Sequence, residues 1–448
     1  MRRRTWGLRH GGCWLQCRRD RPGARYARIA LRTLTPPAPV SVQRRKPSIA
    51  ARALSGATRL STEGTSGALR RGLSYTGRPT EPGSKTSVAE MARLLITGGA
   101  GFIGSNFVIH WLTQQPGDRL VVLDALTYAG NMANLESAKD RPELRFVHGA
   151  IGDTALVEQL LREEQIDTIV HFAAESHVDR SIEGPDAFIE TNVIGTHSML
   201  KAARRIWLEE KSEPTHRFHH VSTDEVYGSL GPEDAPFNES SPYAPNSPYS
   251  ASKAASDHLV RAYHQTYGLQ TTISNCSNNY GPHQFPEKLI PVMIAQLLAG
   301  KSLPVYGDGR HIRDWLHVDD HCRGIEAVLR RGTVGEVYNI GGRSECENIH
   351  LVQMLCTIVD EQLTSKPELR ARYPDSAAAH GGSSEHLVRF VKDRLGHDRR
   401  YAIDDAKIER ECGFRPQIAL GAGLRATVAW YLERATTVRI EWQRTIAN

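Results

Sequence analysis

The chain has 448 residues, 40% hydrophobic and 24% charged, with a formal net charge of +6, a composition ordinary for a globular protein of two or three domains. The charge is uneven: residues 1–90 hold 19 Lys and Arg against 4 Asp and Glu, a local +15 that leaves −9 for the remainder, so the basic balance describes the tail. No apolar run reaches membrane-spanning length. The seven cysteines lack metal-ligand or disulfide spacing, which points to a reducing compartment, most simply the cytoplasm.

Residues 1–90, rich in Arg, Ser, Gly and Pro and without helical or strand periodicity, read as a disordered or spurious extension. A transit peptide or a nucleic-acid-binding arm has this composition, as does translation begun upstream of the true start; Met91 stands directly before the first strand.

From there the pattern sharpens. Arg93-Leu94-Leu95-Ile96-Thr97-Gly98-Gly99-Ala100-Gly101-Phe102-Ile103-Gly104 is an apolar strand that breaks into glycines and opens an amphipathic helix. Gly98 permits the tight turn, Gly101 lets backbone N–H groups approach a pyrophosphate, and Gly104 lets the helix lie close on the strand. The helix N-terminus then faces the phosphate charge. A second strand, Leu120 to Leu123, ends in Asp124, where a carboxylate accepts from the adenosine ribose hydroxyls and disfavours a 2′-phosphate, so NAD is expected over NADP.

Strands at Leu144–His148, Thr168–Phe172, Arg217–Ser222 and Thr271–Ser274 alternate with helices over Ala155–Glu164, about Asp186–Glu209 and Ser250–Tyr267. Such alternation predicts an α/β fold, a doubly wound parallel sheet of Rossmann type with its site at the carboxyl ends of the strands. Residues 91–275 read as this cofactor domain, with later segments returning to it. Beyond Cys276 the prolines multiply, so 276–448 reads mainly as a smaller lobe clamping a substrate. Residues 362–385, with Pro367, Pro374, Gly381 and Gly382, read as a surface connection inside it.

Tyr249-Ser250-Ala251-Ser252-Lys253 sets a phenol and an ammonium one helical turn apart, an arrangement in which the lysine lowers the phenol's pKa and makes it a base. Ser222-Thr223-Asp224-Glu225 follows a strand at the carboxyl edge. Thr223 can bond a sugar hydroxyl beside Tyr249, and the adjacent carboxyls can divide into a protonated donor and an ionised acceptor. His171, His219 and His220 lie near strand ends, but no carboxylate or cysteine spacing makes them ligands, and no metal is expected. Trp430 and Tyr431 read as apolar anchors of a terminal helix.

With these motifs stand Ala173-Ala174-Glu175-Ser176-His177-Val178-Asp179-Arg180-Ser181, Asn275-Cys276-Ser277-Asn278-Asn279-Tyr280-Gly281-Pro282, Phe285-Pro286-Glu287-Lys288-Leu289-Ile290-Pro291 and Arg313-Asp314-Trp315. Through them residues 91 to about 434 resemble the dTDP-glucose 4,6-dehydratase family of extended short-chain dehydrogenases/reductases. The resemblance implies a redox-neutral reaction with NAD retained. Tyr249 would take the O4 proton as hydride leaves C4 for NAD, Glu225 would take the acidified C5 proton, and Asp224 would protonate the departing C6 hydroxyl. Hydride would then return to C6, giving dTDP-4-dehydro-6-deoxy-glucose.

The resemblance further implies cofactor contacts at Phe102, Ile103, Asp124, Thr127, Ile151, Ala173, Thr191, Tyr249, Lys253 and Asn279. It implies substrate contacts at Ser176, Thr223, Asn278, Lys288, Leu289, Pro304, Val305, Tyr306, Arg313, Asn348, Arg394 and His397. Lys288, Arg313 and Arg394 suit a diphosphate, and Tyr306 a pyrimidine. A homodimer and a role in deoxysugar biosynthesis, dTDP-rhamnose included, are implied too.

Three departures stand out. Gly149-Ala150-Ile151 lacks the carboxylate the family places against the adenine amino group, Leu395 replaces a proline, and His311 stands where Asn or Gln is common. A sugar-nucleotide 4-epimerase shares the fold and the Tyr-Lys pair but needs no acid at C6, and dehydratases of other nucleoside-diphosphate sugars remain open. A non-catalytic dinucleotide-binding protein that touches nucleic acid through its basic arm is the alternative of another class; neither nucleic acid nor membrane is expected as a partner.

Overall fold

The computed structural model describes residues 91–211 and 215–434; the expectations for the basic tail lie outside the described residues. The strands are β1 (Arg93–Thr97), β2 (Arg119–Asp124), β3 (Leu144–His148), β4 (Thr168–His171), β5 (Arg217–Thr223), β6 (Thr271–Cys276), β7 (Asn278–Tyr280), β8 (Leu303–Tyr306), β9 (Ile312–His317), β10 (Val337–Ile340), β11 (Glu345–Glu347) and β12 (Val388–Val391). One seven-stranded sheet runs in the order β3-β2-β1-β4-β5-β6-β10, parallel throughout. The chain therefore winds outward from β1 in one direction to β3 and in the other from β4. That reversal opens a crevice at the carboxyl ends of β1 and β4, where ligands bind in such sheets.

The apolar runs are continuous because both faces are covered. Leu94 and Ile96 pack with Phe107, Val108 and Trp111 of the helix Phe102–Gln114. Leu95, pointing the other way, packs with Val157, Leu160, Met199 and Leu200 of two helices on the opposite face. Each such fully buried aliphatic side chain contributes about 1.5–3 kcal/mol relative to exposure.

The helical stretch expected from Asp186 to Glu209 is present but not uniform. It widens into π turns at Ile189–Gly195 and Arg204–Glu210, on either side of a regular segment Thr196–Ala203. A π turn inserts a residue and re-aims its neighbours, and here it brings buried Asn192 against the Glu175 backbone, donating to Glu175 O and accepting from Glu175 N, both at 2.9 Å.

Small sheets β11-β9-β7 and β12-β8 lie after β6. Around them Tyr280, Ile294, Leu297, Leu351, Leu355, Val359, Leu424 and Val428 form a core of their own. Residues 362–385 run along the surface, most of them exposed, but as ordered structure: Leu363, Leu369, Tyr373 and Ala378 are buried in that core, and the segment folds into the helix Pro367–Arg372 and 3-10 turns at Ala377–His380 and Ser384–Leu387. Pro367 sits at the start of its helix, the one place where a missing N–H costs nothing. The terminal helix Leu420–Glu433 buries Tyr431, whose hydroxyl donates to Gln284 O at 2.5 Å.

Candidate active site

The glycine loop carries the features a dinucleotide requires. Gly98 has φ +69°, and a Cβ there would stand 2.7 Å from Ala173 N; a Cβ on Gly104 would stand 2.2 Å from Gly98 O. Gly101 caps the helix Phe102–Gln114 without a side-chain hydrogen bond, so that helix's first N–H groups are not taken up by a cap. Asp124 is buried and its carboxylate accepts from Ala100 N (2.9 Å) and Leu126 N (2.8 Å), tying the first glycine turn to the loop after β2 that carries exposed Thr127.

Ile151 is buried with its tip against Gly195, and Thr191 is half-buried in the π turn. Asn279 is engaged at both ends, accepting from or facing His321 Nδ1 at 2.9 Å and donating to Ser277 O at 2.9 Å. Ala150 is exposed. Asp153, the next carboxylate along, caps its own helix at Leu156 N (3.1 Å) and does not replace the missing one.

Thr223, Asp224, Glu225 and Tyr249 come together. Thr223 ends β5 and caps the 3-10 turn Asp224–Tyr227, accepting from Glu225 N at 3.3 Å; it also hydrogen-bonds the Tyr249 side chain. The helix Pro248–Tyr267 starts from a Ser247 capping box with proline in its first turn, which fixes Tyr249 at the helix end facing that turn.

The two carboxyls sit in different fields. Burial, then Glu225 and Asp314, push the Asp224 carboxyl far above the ordinary carboxylate range, and its Oδ2 is buried with no hydrogen-bond partner. Burial raises Glu225 too, but Arg394, Arg313 and Lys288 pull it back. Asp224 is thus the carboxyl held more strongly in its protonated form and Glu225 the one that ionises first.

Lys253 is tied to the end of β5. Its Nζ donates to Val221 O at 2.8 Å and lies 3.5 Å from His220 Nε2. The Tyr249 phenol is not lowered: burial and the negative charge of Glu225 raise it. Burial and a neighbouring carboxylate thus oppose the lowering expected from spacing, which leaves the phenolate in need of positive charge beside it.

Around the pair stand side chains from distant segments. Lys288 donates to Ser176 O at 2.6 Å. Buried Arg313 donates to Asp398 O at 2.9 Å and lies over the Tyr401 ring at 4.3 Å. Arg394 pairs with Asp179 at 3.6 Å. Asn278 Oδ1, Asn348 Oδ1 and Arg394 Nε are buried and unpartnered. On β8 Tyr306 is exposed and Pro304 half-buried, whereas Val305 points into the lobe core, with Leu289 packed against that core; their side chains are the two least available to a ligand.

His397 accepts or donates at Asp393 Oδ1 (2.6 Å) and stacks on His311, ring centroids 3.6 Å apart at 15°. His311, Asp393 and His397 place ligand atoms within 4.8 Å of one another. A metal about 2 Å from both ring nitrogens would have to lie in two nearly parallel, separated planes, so this pairing does not converge on an ion. His171, His219 and His220 are buried; His171 bonds Thr97 and Thr196, and His219 bonds Thr272 and Ser274.

Two groups escape any reading by spacing. Asn192 also donates to Ser252 Oγ at 2.8 Å, bracing the helix that carries Tyr249 and Lys253. Tyr128, beside Thr127, donates to Glu287 at 3.1 Å while Arg180 lies 3.7 Å above its ring, linking the loop after β2 to the segment that holds Lys288.

A family profile described as GDP-mannose 4,6 dehydratase matches residues 95–427. A dTDP-glucose 4,6-dehydratase of Xanthomonas campestris pv. campestris is 54% identical over 351 residues, 78% of this chain and 95% of that protein. The crystal structure of a dTDP-glucose 4,6-dehydratase from Streptomyces venezuelae with NAD and dTDP bound shares 50% identity, covers 77% of this chain and 98% of its own, and superposes with a TM-score of 0.68. A UDP-glucose 4-epimerase from Thermotoga maritima, 25% identical over 77% of this chain and 99% of its own, superposes with a TM-score of 0.65, so the fold itself is common to both chemistries.

Proposed function

The chain belongs to the extended short-chain dehydrogenase/reductase family of nucleotide-sugar dehydratases and epimerases, and from that premise we propose that it converts dTDP-glucose to dTDP-4-dehydro-6-deoxy-glucose and water. The observation that carries this reading is the split environment of Asp224 and Glu225 beside Tyr249. An epimerase returns hydride to the carbon it came from and has no use for a buried proton donor; elimination across C5 and C6 needs one acid and one base.

NAD fits the glycine loop: a Cβ at Gly98 would meet the Ala173 backbone and one at Gly104 the Gly98 carbonyl, so the glycines hold turn and helix in the close packing that brings the uncapped N–H groups of the helix Phe102–Gln114 toward a pyrophosphate. When bound it takes hydride from C4 and returns it to C6. Tyr249, linked to Thr223, accepts the O4 proton; the cationic nicotinamide opposes the burial that raises the phenol. Glu225, raised by burial but drawn back toward the ionised form by Arg394, Arg313 and Lys288, takes the C5 proton made acidic by the C4 ketone. Asp224, kept protonated by burial and by Glu225, delivers its proton to the C6 hydroxyl, and the bond to that oxygen breaks with loss of water. Lys288, Arg394 and Arg313 face the diphosphate, and the unpartnered Asn278 and Asn348 oxygens supply acceptors for the sugar nucleotide.

We place the cofactor on 91–275 and most substrate contacts on the chain beyond it. Exposed Ile189, Ile194 and Tyr267, on the helices Asp186–Glu210 and Pro248–Tyr267, support a homodimer through that face. Five unpaired cysteines among the described residues support the cytoplasm. The product would enter deoxysugar biosynthesis, dTDP-rhamnose included. Incubation of the protein with dTDP-glucose tests the reading: loss of water and solvent hydrogen at C5 support it, and recovery of dTDP-galactose instead makes the protein an epimerase.

A further inference from the structure

We infer that Asp257 and His220 form a buried positioning pair that keeps the Lys253 ammonium charged and fixed one helical turn from Tyr249. The inference rests on the reading of Tyr249 and Lys253 as the proton-transfer pair. Residues 249, 253 and 257 follow one another at i, i+4 and i+8 along the helix Pro248–Tyr267, so all three side chains share a face.

Every member of the group is buried. Burial alone drives Lys253 toward the neutral amine, which could not support a phenolate; Asp257 and Cys276 oppose it. Asp257 and Lys253 do not meet in a direct ion pair. His220 Nε2 stands between them, 3.3 Å from Asp257 Oδ1 and 3.5 Å from Lys253 Nζ, while Lys253 donates to Val221 O at 2.8 Å.

The carboxylate cannot swing toward the lysine, because its Oδ2 accepts from Ser222 Oγ (2.9 Å) and Tyr243 OH (3.0 Å). Its Oδ1 has no hydrogen-bond partner and faces only the imidazole. A packing role would be served by the two hydroxyls; an ionised carboxylate out of water requires a cation, and Lys253 is the one beside it. The surrounding groups that titrate are His171 on β4, 5.3 Å from the His220 ring, Cys276 on β6, and Tyr243 and His258 against Asp257. Burial and Lys253 keep His220 neutral, so it acts as a polar spacer. The carboxylate holds the lysine charged through it without drawing the ammonium down the helix.

The test uses the whole chain with its bound NAD. Single-turnover hydride transfer from dTDP-glucose is followed by bound-NADH absorbance across neutral to alkaline pH, alongside the lysine Cε NMR titration of Lys253, assigned with Lys253→Met. In Asp257→Asn we expect the rate to fall about tenfold at neutral pH, and both the alkaline limb and the Lys253 titration to move down by about one pH unit. His220→Gln should move them the same way by less. Tyr243→Phe, which removes a hydrogen bond from the same carboxylate but no charge, should leave both where the unaltered protein has them.

An unmoved Lys253 titration in Asp257→Asn, or an equal shift in Tyr243→Phe, overturns the pairing. Should Asp257→Asn not fold, the Lys253 titration in His220→Gln decides: a downward shift supports the pairing and none overturns it. If the unaltered protein does not turn over dTDP-glucose while the titration still shifts, the dehydratase reading falls and the pairing stands.

Discussion

On the side of the cleft where we place the dinucleotide the surface is backbone: Gly98, Gly101 and Gly104 and the helix end behind them lie within one βαβ unit, braced by Asp124 through Ala100 N and Leu126 N. The side we propose for the substrate is assembled from side chains that arrive separately, Ser176 after β4, Asn278 and Lys288 after β6, Arg313 on β9, Arg394 and His397 after β12. A backbone site fails when a Cβ intrudes. An assembled site fails when charges are unbalanced, and here its charges reach across: Arg394, Arg313 and Lys288 set Glu225, while Asp314 helps hold Asp224 protonated. The two carboxyls stand in the 3-10 turn that follows β5; burial raises both, and charges from the other side of the cleft then separate them.

The largest effect should come where the two sides meet. Glu225→Gln should lower turnover by about 10²- to 10⁴-fold, abolish solvent-deuterium entry at C5 and leave bound NADH accumulating; rapid-quench mass spectrometry reads all three, and normal deuterium entry would assign the base elsewhere. In the unaltered protein turnover should rise with pH as Glu225 ionises, with that limb displaced upward from an ordinary glutamate because burial raises it. It should fall again as Asp224 loses its proton. Raising the pH through the folded-state pKa of Asp224 also removes stability, since the folded chain holds a proton there that the unfolded chain releases.

Gly104→Ala tests the backbone side alone. Its Cβ would meet Gly98 O at 2.2 Å and Gly99 Cα at 2.9 Å, so helix and loop must separate, at a cost of about 1–3 kcal/mol. Purified protein should carry little NAD and melt several degrees lower. Full NAD content would mean that the loop, too, adjusts as an assembled surface does.

This contrast also explains what could be read without coordinates. The sheet, the glycine loop and the Tyr249-Lys253 pair are local patterns, each written within a turn or a strand. The π turn that aims Asn192, the burial of Leu363, Leu369, Tyr373 and Ala378, and the Tyr128-Arg180-Glu287 link arise from contacts between segments far apart in sequence; the prolines and glycines of 362–385 mark its turns without saying which side chains between them face inward. The surroundings of Lys253 are illegible for another reason: spacing reports that Tyr249 and Lys253 are near, while the burial that lowers the lysine and the Asp257 charge that opposes it come only with the fold.

Ala150→Asp should sharpen the comparison with a gain instead of a loss. The residue is exposed, and nearby Asp153 is committed to its helix cap. A carboxylate at 150 adds one charged acceptor for the adenine amino group to a site otherwise made of backbone, worth about tenfold in NAD affinity. Titration of NAD into cofactor-stripped protein measures it; unchanged affinity would show that the adenine is held without that edge.

The smallest effect belongs to the rim of the substrate side. Leu395 is 73% exposed and precedes Gly396, which has φ +63°, in the turn between Arg394 and His397. A positive φ at the third turn position suits a type II turn, whose second position favours proline. Leu395→Pro should therefore restrict the unfolded chain more than the folded one and stabilise by about 0.5 kcal/mol, while narrowing the arc through which Arg394 swings. If an assembled site is limited by the freedom of its loops, KM for dTDP-glucose should fall by less than about threefold with kcat unchanged; a lowered kcat would mean that the loop must move during turnover, and that its looseness serves product release.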